Sequence, residues 1–238
     1  MKRVLTVWMA AARTLWWKVL LVCAAMVGGQ IALFARVLPK AADWELGALL
    51  HQSGAYLVFF LAVVVLTALL CLQGCQLSRG ATAYTLRRLP MGETGVTALW
   101  AVHHLGCYGI LWAAEVGTVF LLWRMYQTAL GRELPLLGLL LACYSTPFFH
   151  GLLPMANAMR WIRTSVFFLT LAGSAAWFGY YQRQGLFRVQ PAVILAAGLL
   201  FWNLGMQETA WDWILIVGNL ILLGFMIFPW KGEHPDED

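Results

Sequence analysis

The chain has 238 residues, of which only 11% are charged and 61% are apolar, including 13 Trp and 13 Phe; a soluble chain of this length carries about a quarter charged residues. A water-soluble fold of this size has too much surface for its volume to hide that apolar excess. The composition therefore excludes an ordinary soluble domain and predicts an all-α, polytopic transmembrane helix bundle, a single transmembrane domain over 1–238. The formal net charge of +5 lies in short clusters between apolar runs, which argues against nucleic-acid binding and suits attraction to an anionic inner leaflet.

In chain order, 1–18 sets Lys2, Arg3, Thr6, Arg13 and Thr14 near one helical stripe, with Val4, Leu5, Val7, Trp8, Leu15 and Trp16 over much of the rest. That pattern predicts an elbow helix lying in the membrane interface; the competing reading is a simple extension of the first span. No small-residue cleavage site follows, so the segment reads as retained. Spans near the ~20 residues that cross a bilayer are expected at 17–37, 53–72, 96–123, 136–155 and 161–181. A short apolar segment at 191–204 and a full-length one at 211–228 leave the total at six, with 191–204 re-entrant, or seven. The stretch 73–95 is the longest polar connection, and 229–238 is a solvated polar tail. Trp16, Trp17, Trp161, Trp202, Trp211, Trp213 and Trp230 sit near span ends as interfacial anchors.

Basic residues set the orientation. With the N-terminus cytoplasmic, Lys2, Arg3, Arg13, Lys18, Arg79, Arg87, Arg88, Arg160 and Arg163 fall inside, and Arg36, Lys40, Arg124, Arg132, Arg183 and Arg188 fall outside. Arg183 and Arg188 fit that scheme poorly. The five cysteines, Cys23, Cys71, Cys75, Cys107 and Cys143, are odd in number and form no C-x-x-C pair, so they read as buried small apolar residues.

No G-x-x-x-x-G-K-[ST] loop, G-x-S-x-G elbow or H-E-x-x-H motif occurs, so any ATP hydrolysis must come from another chain. Within 73–95, the run from Ser78 to Glu93 reads SRGATAYTLRRLPMGE. Residues 81–89 can form a short helix that Pro90 would stop. Read blandly, it is a positive-inside loop. The order of small and basic residues, Tyr-Thr-Leu, two arginines and Leu-Pro before a long span resembles the permease subunits of type-2 ABC exporters. The family's loop between its second and third spans often carries an LxxLP-like segment and docks on the ATPase as a coupling helix. The elbow and a layout of about six spans resemble it too. The resemblance departs at Gln73 and Gln76, where many members carry a Glu ahead of the loop. It implies that Arg79, Tyr84, Arg87, Arg88, Leu89, Pro90 and Glu93 couple to a partner ABC ATPase. It also implies a homodimer or a heterodimer with a related permease, and no cofactor in this chain, ATP and Mg being held by the ATPase. The implied location is a bacterial cytoplasmic membrane.

Glu115 lies deep in the third span, where an ionised carboxylate facing lipid costs about 2.5–3.5 kcal/mol. It lines a polar path or pairs with a cation, or else it is protonated or makes one interhelical hydrogen bond. His103 and His104 lie early in the third span and His150 late in the fourth. If those spans are antiparallel, all three share a leaflet, which permits a metal or bis-histidine haem site; the plainer reading is polar helix-end histidines without a metal. The competing functions are therefore an exporter permease, a membrane redox or metal protein built on His103 or His104, His150 and Glu115, and a non-transporting membrane anchor or regulator.

Overall fold

The computed structural model describes residues 2–42, 44–73, 92–131, 133, 135–152, 158–183, 189–203 and 209–227. All regular structure among them is helical. Helix α1 (Lys2–Val37) runs 36 residues without a break, about 54 Å at 1.5 Å per residue. The elbow expected at 1–18 is thus not a separate helix. No proline precedes Pro39 and no glycine precedes Gly28, so nothing interrupts the backbone ladder where a bend would have to form. A 3₁₀ turn over Leu38–Lys40, with Pro39 near its start, ends the run.

The short α2 (Leu46–Ser53) stops at Gly54, whose φ of 65° and N–H bond to the His51 carbonyl form a left-handed cap. Ala55 then opens α3 (Ala55–Leu72). Helix α4 (Glu93–Leu130) has 38 residues and ends at Gly131, again with positive φ. At about 57 Å it exceeds the ~30 Å hydrocarbon core. The expected span at 136–155 is instead broken into α5 (Leu136–Ser145) and α6 (Pro147–Leu152). Pro147 disfavours α geometry in the residue before it, and Thr146 sits accordingly at φ −102°, ψ 117°. Helices α7 (Ala158–Arg183), α8 (Gln190–Asn203) and α9 (Thr209–Ile227) complete the chain.

Side-chain pairs fix the helix directions. Gln30 meets Glu115, and Trp44, just beyond α1, accepts a bond from Tyr126, so α1 and α4 run parallel. Val58 packs at Gly29, whereas Thr67 lies lower, at Tyr108, so α3 runs back against both. On α7, Trp161 packs on Trp112, Phe168 on Tyr108 and Ala176 beside Trp100. Helices α7 and α4 are therefore antiparallel. The indole of Trp112 also donates to the Leu152 carbonyl at 3.3 Å, so α6 ends near the level at which α7 begins. Helices α5, α6 and α7 form one broken descent rather than two opposed spans. The reason is length: α5 covers about 15 Å, half of what a crossing needs. Arg163–Asp212, Thr170–Asn219 and Tyr181–Met226 contacts make α9 parallel to α7, and short connections return the chain through α8 between them.

One end of the bundle thus gathers the start of α1, the end of α3, the start of α4, the end of α7 and the end of α9. Arg183 belongs to this end, the reverse of the expectation from sequence, while Arg160 and Arg163 flank Trp161, which packs on Trp112 about halfway along α4. Three helices, Leu15–Val37, Ala55–Leu72 and Glu93–Leu130, are each long and apolar enough to cross a membrane, as in an integral membrane protein. Leu57, Leu61, Val65, Leu220, Ile221 and Phe225 are exposed on the outside of the bundle, where lipid removes the penalty water would impose.

The interior is aromatic and close-packed. Phe148 of α6 seats against Phe59 and Phe60 of α3, with ring centroids 5.5 and 5.3 Å away. Tyr108, fully buried, shares a 2.7 Å hydrogen bond with Thr67. At Gly198 on α8 the Phe167 ring lies flush on the backbone, and a Cβ there would overlap it. Gly198→Leu is expected to destabilise the bundle by about 1–3 kcal/mol, the usual effect of overpacking. Gly109→Leu, whose Cβ meets open space, serves as the control. Thermal unfolding of the two variants in detergent checks the difference.

Candidate functional site

The described residues hold two buried polar constellations and one edge-on pair of histidines. The first joins α1 to α4. Gln30 Nε2 donates to Glu115 Oε2 at 2.5 Å, with the residues 1% and 0% exposed. The other oxygens of the pair, Gln30 Oε1 and Glu115 Oε1, are buried without a hydrogen bond. The salt bridges among the described residues involve only Asp212, so Glu115 has no cationic partner there. A buried amide and carboxyl hydrogen-bonded across two helices fix their relative rotation and height, because sliding either helix leaves both groups unsatisfied in an apolar medium.

The second constellation joins α6, α7 and α9. Arg163 Nη1 donates to Asp212 Oδ1 at 2.6 Å, and Arg160 Nε lies 3.9 Å from Asp212 Oδ2. Asp212 is 1% exposed and sits in the first turn of α9, where the helix dipole also favours an anion. Arg160 Nη1 is 3.0 Å from Nδ1 and 2.9 Å from Nε2 of His150. One donor that close to both ring nitrogens lies over the ring face rather than on a single in-plane lone pair. Tyr144 covers His150 from α5, with centroids 4.3 Å apart. Two guanidinium groups thus share one carboxylate.

His103 and His104 lie elsewhere. Their rings are 6.1 Å apart on α4; His103 Nδ1 faces the Cys107 thiol at 3.8 Å, and His104 packs near the Ala172 backbone on α7. His150 packs at Arg160. Twelve helical residues between 160 and 172 separate the two levels by about 18 Å along α7. The leaflet shared by the three histidines is therefore corrected: the segment carrying His150 ends high against Trp112 instead of descending to the level of His104. Among the described residues no group of three His, Cys, Asp or Glu side chains could hold a metal ion. Cys23, Cys71, Cys107 and Cys143 are buried free thiols.

Of the loop residues singled out in the sequence, Arg79, Tyr84, Arg87, Arg88, Leu89 and Pro90 lie outside the described residues, as do Cys75 and Gln76. Glu93 occupies the first turn of α4, and its carbonyl accepts the Thr97 hydroxyl at 2.9 Å. Sequence reasoning passed over Gln30, Asp212 and the pairing of Arg160 with Arg163. The signals were present: a glutamine within an apolar run, an acid between Trp211 and Trp213 of the last span, and two arginines three residues apart on one helical face.

Comparison with protein-family models, with characterised proteins and with solved structures finds no match to this chain.

Proposed function

We propose that this chain is the membrane-spanning permease subunit of an ATP-binding-cassette exporter, with the patterned segment 73–95 as its contact to a separate ATPase subunit. The observation that carries the reading is the arrangement of helix ends. The end of α3 and the start of α4, which flank that segment in sequence, lie at the same end of the bundle as the start of α1, the end of α7 and the end of α9. In this reading the broken paths α2–α3 and α5–α7 count as one crossing each, for a layout of six. The basic residues support a cytoplasmic assignment for that side. Lys2, Arg3, Arg13, Lys18 and Arg183 lie in helix segments at that end, and the reading assigns Arg79, Arg87, Arg88 and Arg188 to the same side, while Arg160 and Arg163 contact Asp212. The positive-inside rule then needs no exception for Arg183 and Arg188.

In this reading two permease subunits, identical or related, form the path between them in the cytoplasmic membrane, with ATP and Mg on the partner. Closure of the ATPase pair pushes on the 73–95 element and tilts α3 and α4, which it joins. Tagged chain purified from its native membrane is expected to bring down an ABC ATPase in stoichiometric amount, and the Arg87→Glu/Arg88→Glu variant to lose it. Recovery of the same ATPase with the double variant would remove 73–95 as the coupling element. Absence of any ATPase from the wild-type preparation would remove the permease reading.

A further inference from the structure

The Gln30–Glu115 pair between α1 and α4 leaves two acceptors unanswered. Its one bond runs from Gln30 Nε2 to Glu115 Oε2 at 2.5 Å. The two atoms left over, Gln30 Oε1 and Glu115 Oε1, are both oxygens, buried and without a donor. An ionised carboxylate and an amide carbonyl are acceptors only, so neither oxygen can satisfy the other. Buried polar groups are seldom left in that state, and a single added donor would serve both.

The surroundings do not supply it. One turn to either side, Met26 and Phe34 on α1 and Leu111 and Val119 on α4 are buried apolar residues, and positions four apart share a helix face. The Thr118 hydroxyl, three residues along α4, donates to the Ala114 carbonyl, and the Trp112 indole donates to the Leu152 carbonyl. Titratable groups on the packed helices are distant or engaged. On α1, Cys23 and Arg36 stand about 10 and 9 Å along the axis from Gln30; on α4, Cys107, Tyr108 and Arg124 are about 10 Å or more from the level of Glu115. On α3, Tyr56 stacks on His51, and Cys71 lies a turn beyond Thr67, which pairs with Tyr108. On α7, Arg160 and Arg163 contact His150 and Asp212. Among the described residues Gln30 is the one polar partner of Glu115.

We propose that the missing donor is a proton held on Glu115, which makes the pair a proton-binding site between two helices. With Oε1 protonated, the carboxyl donates its O–H to Gln30 Oε1 while Oε2 accepts from Gln30 Nε2. Acid and amide then close as a neutral ring of two hydrogen bonds. The proton satisfies both leftover oxygens at once and removes a charge that is costly to bury without a cation. The ring exists only where α1 lies against α4, so closing the two helices takes up one proton per chain. The carboxyl gives that proton up where the helices part and water enters. The site does not depend on the permease reading, since it needs no ATPase and uses no residue of 73–95.

Infrared spectroscopy of the full chain in an ester-free detergent at neutral pH, compared between wild type and Glu115→Gln, tests it. The wild type is expected to show a protonated-carboxyl C=O stretch at the frequency of a hydrogen-bonded acid, and Glu115→Gln to lose it. Gln30→Leu is expected to keep the band and move it up to the frequency of a free acid. No protonated-carboxyl band in the wild type overturns the proposal, and assigns the missing donor to an internal water beside an ionised Glu115. A wild-type band already at the free-acid frequency overturns it as well, as does a band that Glu115→Gln retains undiminished. The wild type and its isosteric variant decide both points, so the outcome does not hinge on whether Gln30→Leu folds.

Discussion

Asp212→Ala is expected to be the most destabilising single change in the bundle, at about 3–5 kcal/mol, the range for breaking a buried ion pair by removing one partner. The substitution leaves Arg163 and Arg160 facing each other, with the His150 ring on the far side of Arg160. No other carboxylate among the described residues lies within salt-bridge distance of either arginine. Arg163→Met should cost less, about 1–3 kcal/mol, because Asp212 keeps Arg160 at 3.9 Å and the helix N-terminus continues to favour its charge. The order matters more than either value. Removing the anion takes from Arg163 its 2.6 Å carboxylate partner, whereas removing Arg163 leaves Asp212 with Arg160. Equilibrium unfolding in mixed micelles, followed by circular dichroism, measures both. Asp212 is buried, so the difference should persist at high salt, where exposed pairs are screened. If Arg163→Met proves as damaging as Asp212→Ala, the two arginines do not share one anion and this account of the cluster fails.

The same cluster marks how far sequence reasoning reached. Helical class and membrane character follow from composition and run length alone, and Ala55–Leu72 and Ile227 lie within a residue or two of the expected span limits. Direction did not follow. Hydropathy sees 136–155 as one apolar run, yet Thr146–Pro147 divides it, and a ten-residue helix cannot carry the chain across. The segment 161–181 was consequently inverted, which made Arg183 look misplaced and Arg160 and Arg163 look like ordinary loop charges. The pre-proline break was legible at Pro147, but its weight depended on α6 ending at Trp112, a tertiary contact that no local pattern encodes. Glu115 was legible because one acid in a long apolar helix is conspicuous. Its partner was not, since a lone glutamine in α1 carries no charge to draw attention and lies 85 positions away in sequence.

That partnership gives the second large effect. Glu115→Ala leaves the Gln30 amide buried without its acceptor and opens space between α1 and α4, together expected to cost about 2–4 kcal/mol. Glu115→Gln keeps an acceptor in the same place and should stay within about 1 kcal/mol of wild type. Gln30→Leu should resemble Glu115→Ala, because it orphans the carboxyl instead of the amide. The double variant Gln30→Leu/Glu115→Leu replaces both polar groups by apolar ones of similar size and should recover most of the loss, giving a clear coupling energy in a double-mutant cycle. Additive losses would mean that the two side chains do not depend on each other. The recovered variant also separates fold from function. If the proposed ATPase complex is recovered, wild-type ATP hydrolysis with this variant would assign the pair to holding α1 against α4. A well-folded double variant with a stalled cycle would assign it to the motion of α4 that the proposed coupling through 73–95 requires. The second outcome is physically reasonable, because a helix of about 57 Å pinned near its middle to a parallel neighbour pivots there when its end is displaced.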